Sequence, residues 1–499
     1  METSLQRITF PELFFGFVSP IGADIEAALI AFERELRSKG YEVVRVKVTN
    51  IYKIMKDYVP PNKPLNEASP HSRYSSFIEY GNQLREHFDD DAVLAATAMR
   101  QIANKRIKSQ ANRVPYERTA YLIHQFKRKE EIDLLRSVYG RLFFQISIYS
   151  RRGARTDFLS RVFARGAQVS GPQRFRHLAE KIIQDDEDEV GKKHGQRVAK
   201  IFHDADFIIS RDIAVPVDAQ VSRFVDLLFG ANYLSPSRLE YGMFVAKAAA
   251  LRTLDLSRQV GAAIFSNETE IISLGSNEVP KAEGGTYWEG DPHDAREYAK
   301  GGDSNLQRKR EILTEIIRIT HGEGGVEPWL GSEPIRESQF MDALEYGRII
   351  HAEMSAIMDA ARLGRSVKGA TLFCTTFPCH MCAKHIVGAG IKNVVFLEPY
   401  PKSLAFDLHA DSLEIEGGDR GQYRDYPSTG FEHFYGVTPR RYRELFERGS
   451  RRTSDGEFMR YIANPPRPII AFTFPFYQAL EEDVFSRSGE VLGSLGDPD

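Results

Sequence analysis

Cysteine is scarce in this chain: its 499 residues include only Cys374, Cys379 and Cys382. So few thiols argue against a disulfide-stapled secreted scaffold and favour a reducing, cytosolic setting. They also exclude a structural zinc site made of four cysteines, because such a site needs one more thiol than the chain contains.

A long apolar run and an excess of either charge are also missing. The apolar segment 13–18 is far too short to span a bilayer, and residues 1–7 lack the basic start of a signal peptide. Lys and Arg number 66 against 69 Asp and Glu, so the formal net charge is -3 and no global basic field indicates nucleic acid binding. We therefore expect a soluble cytoplasmic protein, and its length predicts two or three domains.

Two short motifs stand in the second half of the chain. His351-Ala352-Glu353 is followed, 25 residues after the glutamate, by Pro378-Cys379-His380-Met381-Cys382. This H-x-E … P-C-x-x-C arrangement is the signature of zinc-dependent nucleobase deaminases. One imidazole and two thiolates give Zn²⁺ three ligands and leave a fourth position for water, whose pKa the metal lowers. Glu353 is predicted to shuttle a proton from that water to the ring nitrogen and to the leaving ammonia.

Other interpretations of these motifs stay open. A C-x-x-C pair can be redox-active, although that role leaves the His-x-Glu pattern unexplained. A nucleotide-sensing regulatory protein with a merely structural zinc is a further alternative, against which the Glu353 carboxylate argues. Cys374 ends the apolar run 370–374 and is predicted to be a buried strand residue, not a ligand.

The residues around the motifs predict where the ligands lie. Segment 351–362 is rich in alanine and ends before Gly364, which favours a helix with His351 and Glu353 in its first turn. Cys379 follows a proline, which suits the first turn of a second helix. Strands are predicted over 370–375 and 393–397. Both ligand sets are thus expected at helix starts.

The first half of the chain reads as alternating strands and helices. Strands are predicted over 13–18, 41–48, 120–123, 142–149 and 207–209, and helices over about 25–36 and 129–139. Such βαβ units imply a parallel sheet. The acidic run 185–189 is interpreted as a solvated surface segment.

A glycine turn follows the first strand and could place a phosphate at a helix N-terminus. Gly16 and Gly22 are the candidate residues, but five residues separate them and a Lys-Ser/Thr pair does not follow, so the loop is a degenerate P-loop. Arg151 and Arg155 come just after a strand; they are candidate phosphate contacts or residues of a solvated loop.

The boundary between the two halves is predicted near residues 230–236. We expect a domain over 1–230 and a second over 235–490, the latter with an insertion at about 280–340. A helix is predicted over 238–256, a hairpin from strands 260–265 and 271–274, and a helix inside the insertion over about 304–320.

Several segments of the second half resemble deoxycytidylate deaminases. They are residues 256–262 (Leu-Ser-Arg-Gln-Val-Gly-Ala), 275–280 (Gly-Ser-Asn-Glu-Val-Pro), 351–354 and 378–384. With segment 398–405, the Gly285-Thr286-Tyr287-Trp288 stretch and the degenerate loop of the first half, the whole chain is similar to the bacterial anti-phage dCTP deaminases. Two departures are Ser355 where many members carry Asn, and Gly-Ser-Asn-Glu in place of Gly-Tyr-Asn-Gly.

The resemblance implies a fold and an activity. The fold is α/β throughout: an N-terminal P-loop nucleotide-kinase-like three-layer domain and a C-terminal cytidine-deaminase-like sandwich of a mixed sheet with helices on both faces. The activity is zinc-dependent conversion of dCTP, and of dCMP, to deoxyuridine nucleotides, which would deplete dCTP during phage infection. The N-terminal half would then regulate the deaminase, a homo-oligomer is expected, and an inhibitory small RNA is one type of partner.

The resemblance also implies substrate contacts. Asn277 is expected to bond the sugar 3′ hydroxyl, and the backbone near Ala352 to read the cytosine edge. For the phosphates we select Arg258, Tyr400 and Lys402, each of which could equally have a structural role.

Deamination of RNA or of single-stranded DNA remains the alternative activity. An enzyme of that kind needs a basic groove with stacking aromatic side chains. The charges near the motifs are mixed and no Lys/Arg cluster flanks them, so a free nucleotide is the favoured substrate. The sequence does not decide between dCTP and dCMP.

Overall fold

A computed structural model describes residues 8–109, 117–189, 192–400, 403–416, 418–461, 464–470 and 475–487 of the chain. The chain divides into two compact units, one of Met1–Pro236 with Tyr435–Asp499 and one of Ser237–Phe434. Within the described residues, no helix is both long and apolar enough to cross a lipid bilayer.

The strands are numbered in chain order. They are β1 (Leu13–Val18), β2 (Glu42–Lys47), β3 (Thr119–His124), β4 (Phe143–Tyr149), β5 (Phe207–Ser210), β6 (Gly261–Phe265), β7 (Ile271–Ser276), β8 (Thr371–Thr376), β9 (Asn393–Glu398), β10 (Leu413–Ile415), β11 (Thr429–His433) and β12 (Gly436–Val437).

The α-helices are numbered in the same way. They are α1 (Glu26–Ser38), α2 (Tyr52–Tyr58), α3 (Pro70–Phe88), α4 (Val93–Ser109), α5 (Lys129–Tyr139), α6 (Arg152–Gly166), α7 (Arg176–Glu187), α8 (Val198–Ile201), α9 (Val217–Leu228), α10 (Arg238–Ala250), α11 (Glu297–Lys300), α12 (Ser304–His321), α13 (Val326–Leu330), α14 (Glu333–Arg336), α15 (Ala352–Arg362), α16 (His380–Gly388), α17 (Ala405–His409), α18 (Tyr442–Phe446) and α19 (Tyr477–Arg487).

The first unit is built on a six-stranded sheet in the order β12-β5-β4-β1-β3-β2. All neighbouring strands are parallel except β12 and β5. Every residue of the central strand β1 is buried. Since successive side chains of a strand point to opposite faces, β1 is covered on both faces, as parallel sheets require. The predicted parallel α/β character is confirmed, and the kinship to P-loop kinases stays a prediction.

The C-terminal segment belongs to the first unit, which differs from the second domain predicted to run to residue 490. Strand β12 adds to the free edge of β5. Helix α19 contributes Glu481 to a buried ion pair with Arg106 of α4 at 2.8 Å, and Arg106 also pairs with Glu12 at 2.9 Å. We therefore correct the boundary of the second unit to Phe434.

Three tyrosines complete this buried charge network. The hydroxyls of Tyr121 and Tyr477 donate to Glu12, and the hydroxyl of Tyr139 donates to Glu481. A buried carboxylate is costly unless it is paired and hydrogen-bonded, and here both carboxylates have a guanidinium and tyrosine donors. The last helix is thereby tied to the start of the first sheet.

The second unit contains a mixed six-stranded sheet in the order β10-β11-β9-β8-β6-β7. Strand β6 runs antiparallel to both β7 and β8, whereas β8, β9, β11 and β10 are mutually parallel neighbours. The predicted hairpin and the predicted mixed sheet are confirmed.

Two glycines set how closely helices approach this sheet. A Cβ on Gly261 would lie 2.0 Å from the Ala246 carbonyl oxygen of α10, and a Cβ on Gly275 would lie 2.1 Å from the Ala352 carbonyl oxygen of α15. Gly275 pairs with Ala262 in the ladder, next to Gly261, so the two glycines face opposite sides of the sheet. Helices α10 and α15 therefore cover opposite faces.

The predicted insertion lies between β7 and α15. It carries α11 to α14, and α12 occupies the segment for which a helix was predicted. Asp303 caps α12 by accepting a hydrogen bond from the Leu306 amide at 2.9 Å. The segment returns to the sheet through a bridge between Glu278 and Ile350, directly before the first zinc-ligand motif.

Candidate active site

The candidate metal ligands lie at two helix starts. His351 is the residue before α15 and Cys379 is the residue before α16; both have extended backbone conformations. Cys382 lies in the first turn of α16, and Glu353 in the first turn of α15. Both ligand sets lie at helix starts, as predicted. His351 and Cys379 each occupy the position just before the helix instead of a position in its first turn. A helix N-terminus stabilises thiolate relative to thiol.

The three ligand atoms converge on one point. The Nδ1 atom of His351 lies 3.3 Å from the sulfur of Cys379 and 3.3 Å from the sulfur of Cys382. Zinc–nitrogen bonds of about 2.0 Å and zinc–sulfur bonds of about 2.3 Å in a tetrahedron put nitrogen and sulfur roughly 3.5 Å apart. The donor set and its spacing therefore fit Zn²⁺ with His351 bound through Nδ1.

No other group of His, Cys, Asp and Glu side chains in the described ranges has this convergence. Cys374 is not part of it: it lies buried in β8, as predicted. The zinc prediction is thus supported by the geometry of three residues drawn from two helix starts.

The cysteines differ in their protonation without metal. Hydrogen bonding from Cys382 lowers the pKa of the Cys379 thiol to about 4, and the bond to His351 adds to this. The bond to the Cys379 thiolate, together with burial, holds the pKa of Cys382 above its usual range. One thiolate is therefore already available to a metal ion, and binding displaces the second proton.

Glu353 lies beside the ligands in a dry environment. Its side chain is only 4% exposed, and its Oε2 is 3.4 Å from the Cys382 sulfur. Burial raises the pKa of this carboxyl. A carboxyl whose pKa is raised toward neutrality can both accept and return a proton.

A pocket lies beside the ligands, and segments that are far apart in the sequence line it. Glu353, His351, Ala352 and Cys379 form its floor. The insertion and the segment after it contribute side chains that sequence reasoning missed, because nothing in their local pattern marks a site: Glu297, Asp303, Asn305, Leu344 and Arg348. Asp255 and Thr376 were also missed.

Asn277 lines the pocket, but its amide is already bonded within the protein. Its Nδ2 donates to Asp255 at 2.8 Å and to the Arg258 carbonyl at 2.8 Å, and its Oδ1 accepts from the Val260 amide at 2.8 Å. Asn277 therefore holds the segment 255–260 against the pocket. One lone pair of Oδ1 remains for a ligand.

Arg258 and Tyr400 lie together at the pocket rim. The Arg258 guanidinium is 5.2 Å from the centre of the Tyr400 ring and 3.4 Å from a Glu398 carboxylate oxygen, and its side chain is 43% exposed. Lys402 falls outside the described residues. Arg348 donates to the Ala295 carbonyl at 3.0 Å and stands 3.5 Å from Glu297.

The residues selected for an N-terminal phosphate site have other roles. Gly16 lies inside β1, where a Cβ would come within 2.5 Å of the Phe143 ring, so it is needed for packing and does not form part of a loop. Gly22 adopts a left-handed backbone and abuts Arg155. Arg155 is buried and pairs with Glu187 at 2.5 Å, so its charge is neutralised.

Protein side chains also bond the turn after β1. The Ile21 amide donates to Asp186 at 2.7 Å, and Lys127 pairs with the same carboxylate at 2.7 Å. The backbone amide of Arg151 donates to Asp212 at 2.5 Å. The predicted solvated acidic run is wrong at Asp186, which is fully buried. Protein carboxylates fill the place predicted for a phosphate.

Comparison with known proteins identifies the region around the ligands. Residues 236–398 match the cytidine and deoxycytidylate deaminase zinc-binding region. Deoxycytidylate deaminase of Mus musculus is 29% identical over 158 residues, which cover 32% of this chain and 63% of the mouse protein. Deoxycytidylate deaminase of Enterobacteria phage T4 is 52% identical over 54 residues, 11% of this chain and 28% of the phage protein.

Among solved structures, the apo dCMP deaminase of cyanophage S-TIM5 is 17% identical, with a TM-score of 0.22, and the match covers 40% of this chain and 99% of that protein. The chain thus spans less than two thirds of the mouse and T4 relatives, 63% and 28% of their lengths, and its own first unit lies outside the matching region.

Proposed function

From the premise that the second unit carries a cytidine and deoxycytidylate deaminase zinc-binding region, we propose that the protein hydrolyses deoxycytidine nucleotides, dCTP and also dCMP, to deoxyuridine nucleotides and ammonia. The observation that carries the proposal is the convergence of His351, Cys379 and Cys382 beside the buried Glu353 at the floor of a pocket. Water adds at C4 of the ring and the exocyclic amine departs as ammonia.

The protein groups divide the chemistry between them. His351, Cys379 and Cys382 would hold Zn²⁺, which would supply Lewis-acid activation of a water molecule. Glu353 takes the proton that this water loses, delivers it to the ring nitrogen and finally protonates the leaving amine. Its burial suits this role, because burial raises the pKa of the carboxyl and proton transfer is most efficient when the pKa of the group lies near the operating pH.

Recognition of a nucleotide requires a cation for its phosphates. Among the described residues that line the pocket, Arg258 and Arg348 carry guanidinium groups. We assign both to phosphate binding, with Tyr400 stacking on Arg258 and Lys402 joining them. Guanidinium groups suit phosphate because they donate two parallel hydrogen bonds.

The sugar and the base of the nucleotide would lie between the arginines assigned to its phosphates and the candidate zinc ligands. The free lone pair of Asn277 Oδ1 can accept a hydrogen bond from the sugar 3′ hydroxyl, so the assignment of Asn277 to sugar recognition stands as part of the proposal. The backbone at Ala352, which lines the pocket beside Glu353, is assigned to the cytosine edge.

A free nucleotide fits this pocket better than a polynucleotide. Its described lining includes the carboxylates of Asp255, Glu297, Asp303 and Glu353 beside the two guanidinium groups. Single-strand-binding proteins need a continuous positive groove with stacked aromatic side chains. A lining with more carboxylates than guanidinium groups disfavours a long phosphate backbone.

We assign a regulatory role to the first unit, not ATP hydrolysis. The turn after β1 lacks the Lys and Ser/Thr of a P-loop. Its Ile21 amide already donates a hydrogen bond to the Asp186 carboxylate. The resemblance to anti-phage dCTP deaminases supports depletion of dCTP during infection as the biological role, with homo-oligomers and control by a small RNA. Nucleotide pools measured in infected cells with and without the protein would check that role.

The test of the activity is ammonia release from a panel of cytidine and deoxycytidine mono-, di- and triphosphates, the nucleosides, and cytosine-containing single-stranded DNA and RNA. Glu353→Gln protein serves as the control for contaminating deaminases. We expect the deoxycytidine nucleotides to turn over fastest. Faster turnover of either polymer, or no turnover of any nucleotide by zinc-loaded protein, would contradict the proposal.

A further inference from the structure

The carboxyl-terminal edge of the first unit's parallel sheet carries many cations, and most are neutralised by protein carboxylates. Among the cations that lie past the ends of the strands, Lys127 pairs with Asp186 at 2.7 Å, Arg155 with Glu187 at 2.5 Å, Arg152 with Glu187 at 2.9 Å, and Arg211 with Asp24 at 3.2 Å. Each of these cations already has a carboxylate partner within the protein, and Arg152 and Arg155 share one.

The edge beyond β2 and β3 is different. Lys47 ends β2, His124 ends β3, and the two are register partners in the parallel ladder, so their side chains leave the sheet on the same face. Lys53 begins α2 nearby and Arg73 lies in the first turn of α3. We name these four residues the β2–β3 edge cluster.

Contacts join the elements of the edge cluster in two pairs, α2 with α3 and the end of β2 with the end of β3. The Tyr52 ring packs against the Phe77 ring at 5.5 Å, which joins α2 to α3, and the Arg73 guanidinium lies 4.7 Å from the centre of the same Phe77 ring. Thr49, two residues after Lys47, donates to Gln125 at 2.8 Å and ties the end of β2 to the end of β3.

None of the three cations of the edge cluster has an ion pair within the described parts of the chain. Lys47 is nevertheless half-buried, and burial together with the charges of Arg73 and Lys53 lowers its pKa. The carboxylates whose charge reaches Lys47 are Glu67, which is exposed, and Glu26, which is bonded to Arg45 at 2.6 Å. A buried cation without a partner is unfavourable in the ligand-free protein.

His124 adds an unsatisfied polar atom at the same place. Its Nδ1 is buried and has no hydrogen-bond partner in the structure, and burial lowers the pKa of its imidazole to about 4, so the ring is neutral at physiological pH. A neutral imidazole can donate one hydrogen bond to an anion.

The backbone beside His124 is strained. Gln125 has a φ of 86°, in the left-handed region, and it is neither glycine nor asparagine. Strained residues of this kind persist where the surrounding structure holds them, and they concentrate at ligand sites. In open parallel sheets, ligands bind outside the carboxyl ends of the strands, which is where this residue lies.

We propose that the β2–β3 edge cluster is a binding site for the phosphate group of a small phosphorylated ligand. Lys47 and Arg73 would contribute the charge, His124 a neutral hydrogen bond, and Lys53 a longer-range attraction. The site is distinct from the degenerate loop after β1, and it belongs to the first unit, so it does not depend on the deaminase assignment.

The test is calorimetric titration of the full chain at low ionic strength with inorganic phosphate, pyrophosphate and ATP. We expect saturable binding of at least one of these, weakened about tenfold or more by Lys47→Gln and by Arg73→Gln, since each removes a charge-assisted hydrogen bond. The probe bound most tightly identifies the ligand as an inorganic phosphate or a nucleotide.

Two matched controls define the site. Arg152→Gln removes a cation that is already paired at the same sheet edge and should leave the affinity within twofold. Arg348→Gln removes a guanidinium group from the deaminase pocket, so it reports on phosphate binding there and should not abolish the binding that Lys47→Gln and Arg73→Gln weaken. Lys47→Gln and Arg73→Gln lie on different elements and break no ion pair, so the Tm of each should stay near that of the controls. Absence of binding of all three probes, or binding that only Arg348→Gln weakens, would overturn the proposal.

Discussion

The side chains at the candidate zinc site and the cations that come after β3 and β4 differ in the protein partners they have. In the second unit, His351, Glu353 and Cys379 line a pocket, and the side chains of these residues and Cys382 contact each other. In the first unit, Lys127 and Arg155, which come after β3 and β4, are bonded to carboxylates of α7.

This contrast shows how a charged residue that can bind a ligand differs from one that only stabilises the fold. A charged residue after a strand is equally visible in both cases, but only one that the fold leaves unsatisfied can act on a ligand. Arg155 fails this criterion because it is buried and pairs with Glu187, whereas Arg348 meets it in part, since it lines the pocket but donates to a carbonyl and stands 3.5 Å from Glu297.

The largest effect is expected from removing a zinc ligand. Cys382→Ala leaves one imidazole and one thiolate, too few to hold Zn²⁺ tightly, so metal content and turnover should both fall to background. Zinc measured by mass spectrometry and ammonia release from dCTP and dCMP check this. Cys374→Ala is the control for zinc content, because Cys374 is a buried thiol of β8 that is not one of the three converging ligands; retention of zinc by Cys382→Ala protein would show that the ligand assignment is wrong.

Next comes Glu353→Gln, which should separate metal binding from proton transfer. The amide cannot shuttle a proton, so kcat should drop by about 10² to 10⁴ while zinc content stays at that of the unaltered protein. The exposed carboxyl of Glu345, whose nearest recorded partner is His380 at 4.0 Å, gives the control Glu345→Gln. Full activity of the Glu353→Gln protein would remove this residue from the mechanism.

Arg106→Ala tests how much a buried ion-pair network of the first unit stabilises the fold. Two buried carboxylates lose their partner, so the free energy of unfolding should fall by about 3–5 kcal/mol, measured by denaturant titration. Lys129→Ala removes the exposed partner of Asp133 and should cost less than about 1 kcal/mol. Equal effects of the two substitutions would mean that burial does not govern these pairs.

A smaller and more selective effect is expected at the pocket rim. Arg348→Gln and Arg258→Gln should each lower kcat/KM for the nucleotide by about 10- to 100-fold, because each removes a charged hydrogen bond to phosphate. Turnover of deoxycytidine, which has no phosphate, should not change.

Arg365→Gln is the control for the rim substitutions, since Arg365 is exposed, donates to the Ile272 carbonyl and does not line the pocket. Equal losses for nucleotide and nucleoside in the Arg348→Gln protein would indicate a structural role for that arginine.

Much of the local structure was predictable because it depends on short-range patterns. The helix predicted over 129–139 coincides with α5, and the strand predicted over 207–209 lies within β5. The zinc site was predictable for the same reason: its ligands come from two motifs whose spacing specifies the chemistry.

The chain's own residues therefore determined the elements, the parallel and hairpin connections and the metal ligands, since hydrophobic periodicity and ligand spacing are local properties. Only the tertiary structure decided that Glu481 returns to pair with Arg106, that Arg348 reaches the pocket and that Asp186 occupies the turn after β1. Those outcomes depend on which charges meet across distant segments. Because the cost of an unpaired buried charge is set by its surroundings and not by its neighbours in sequence, the sequence pattern alone did not reveal them.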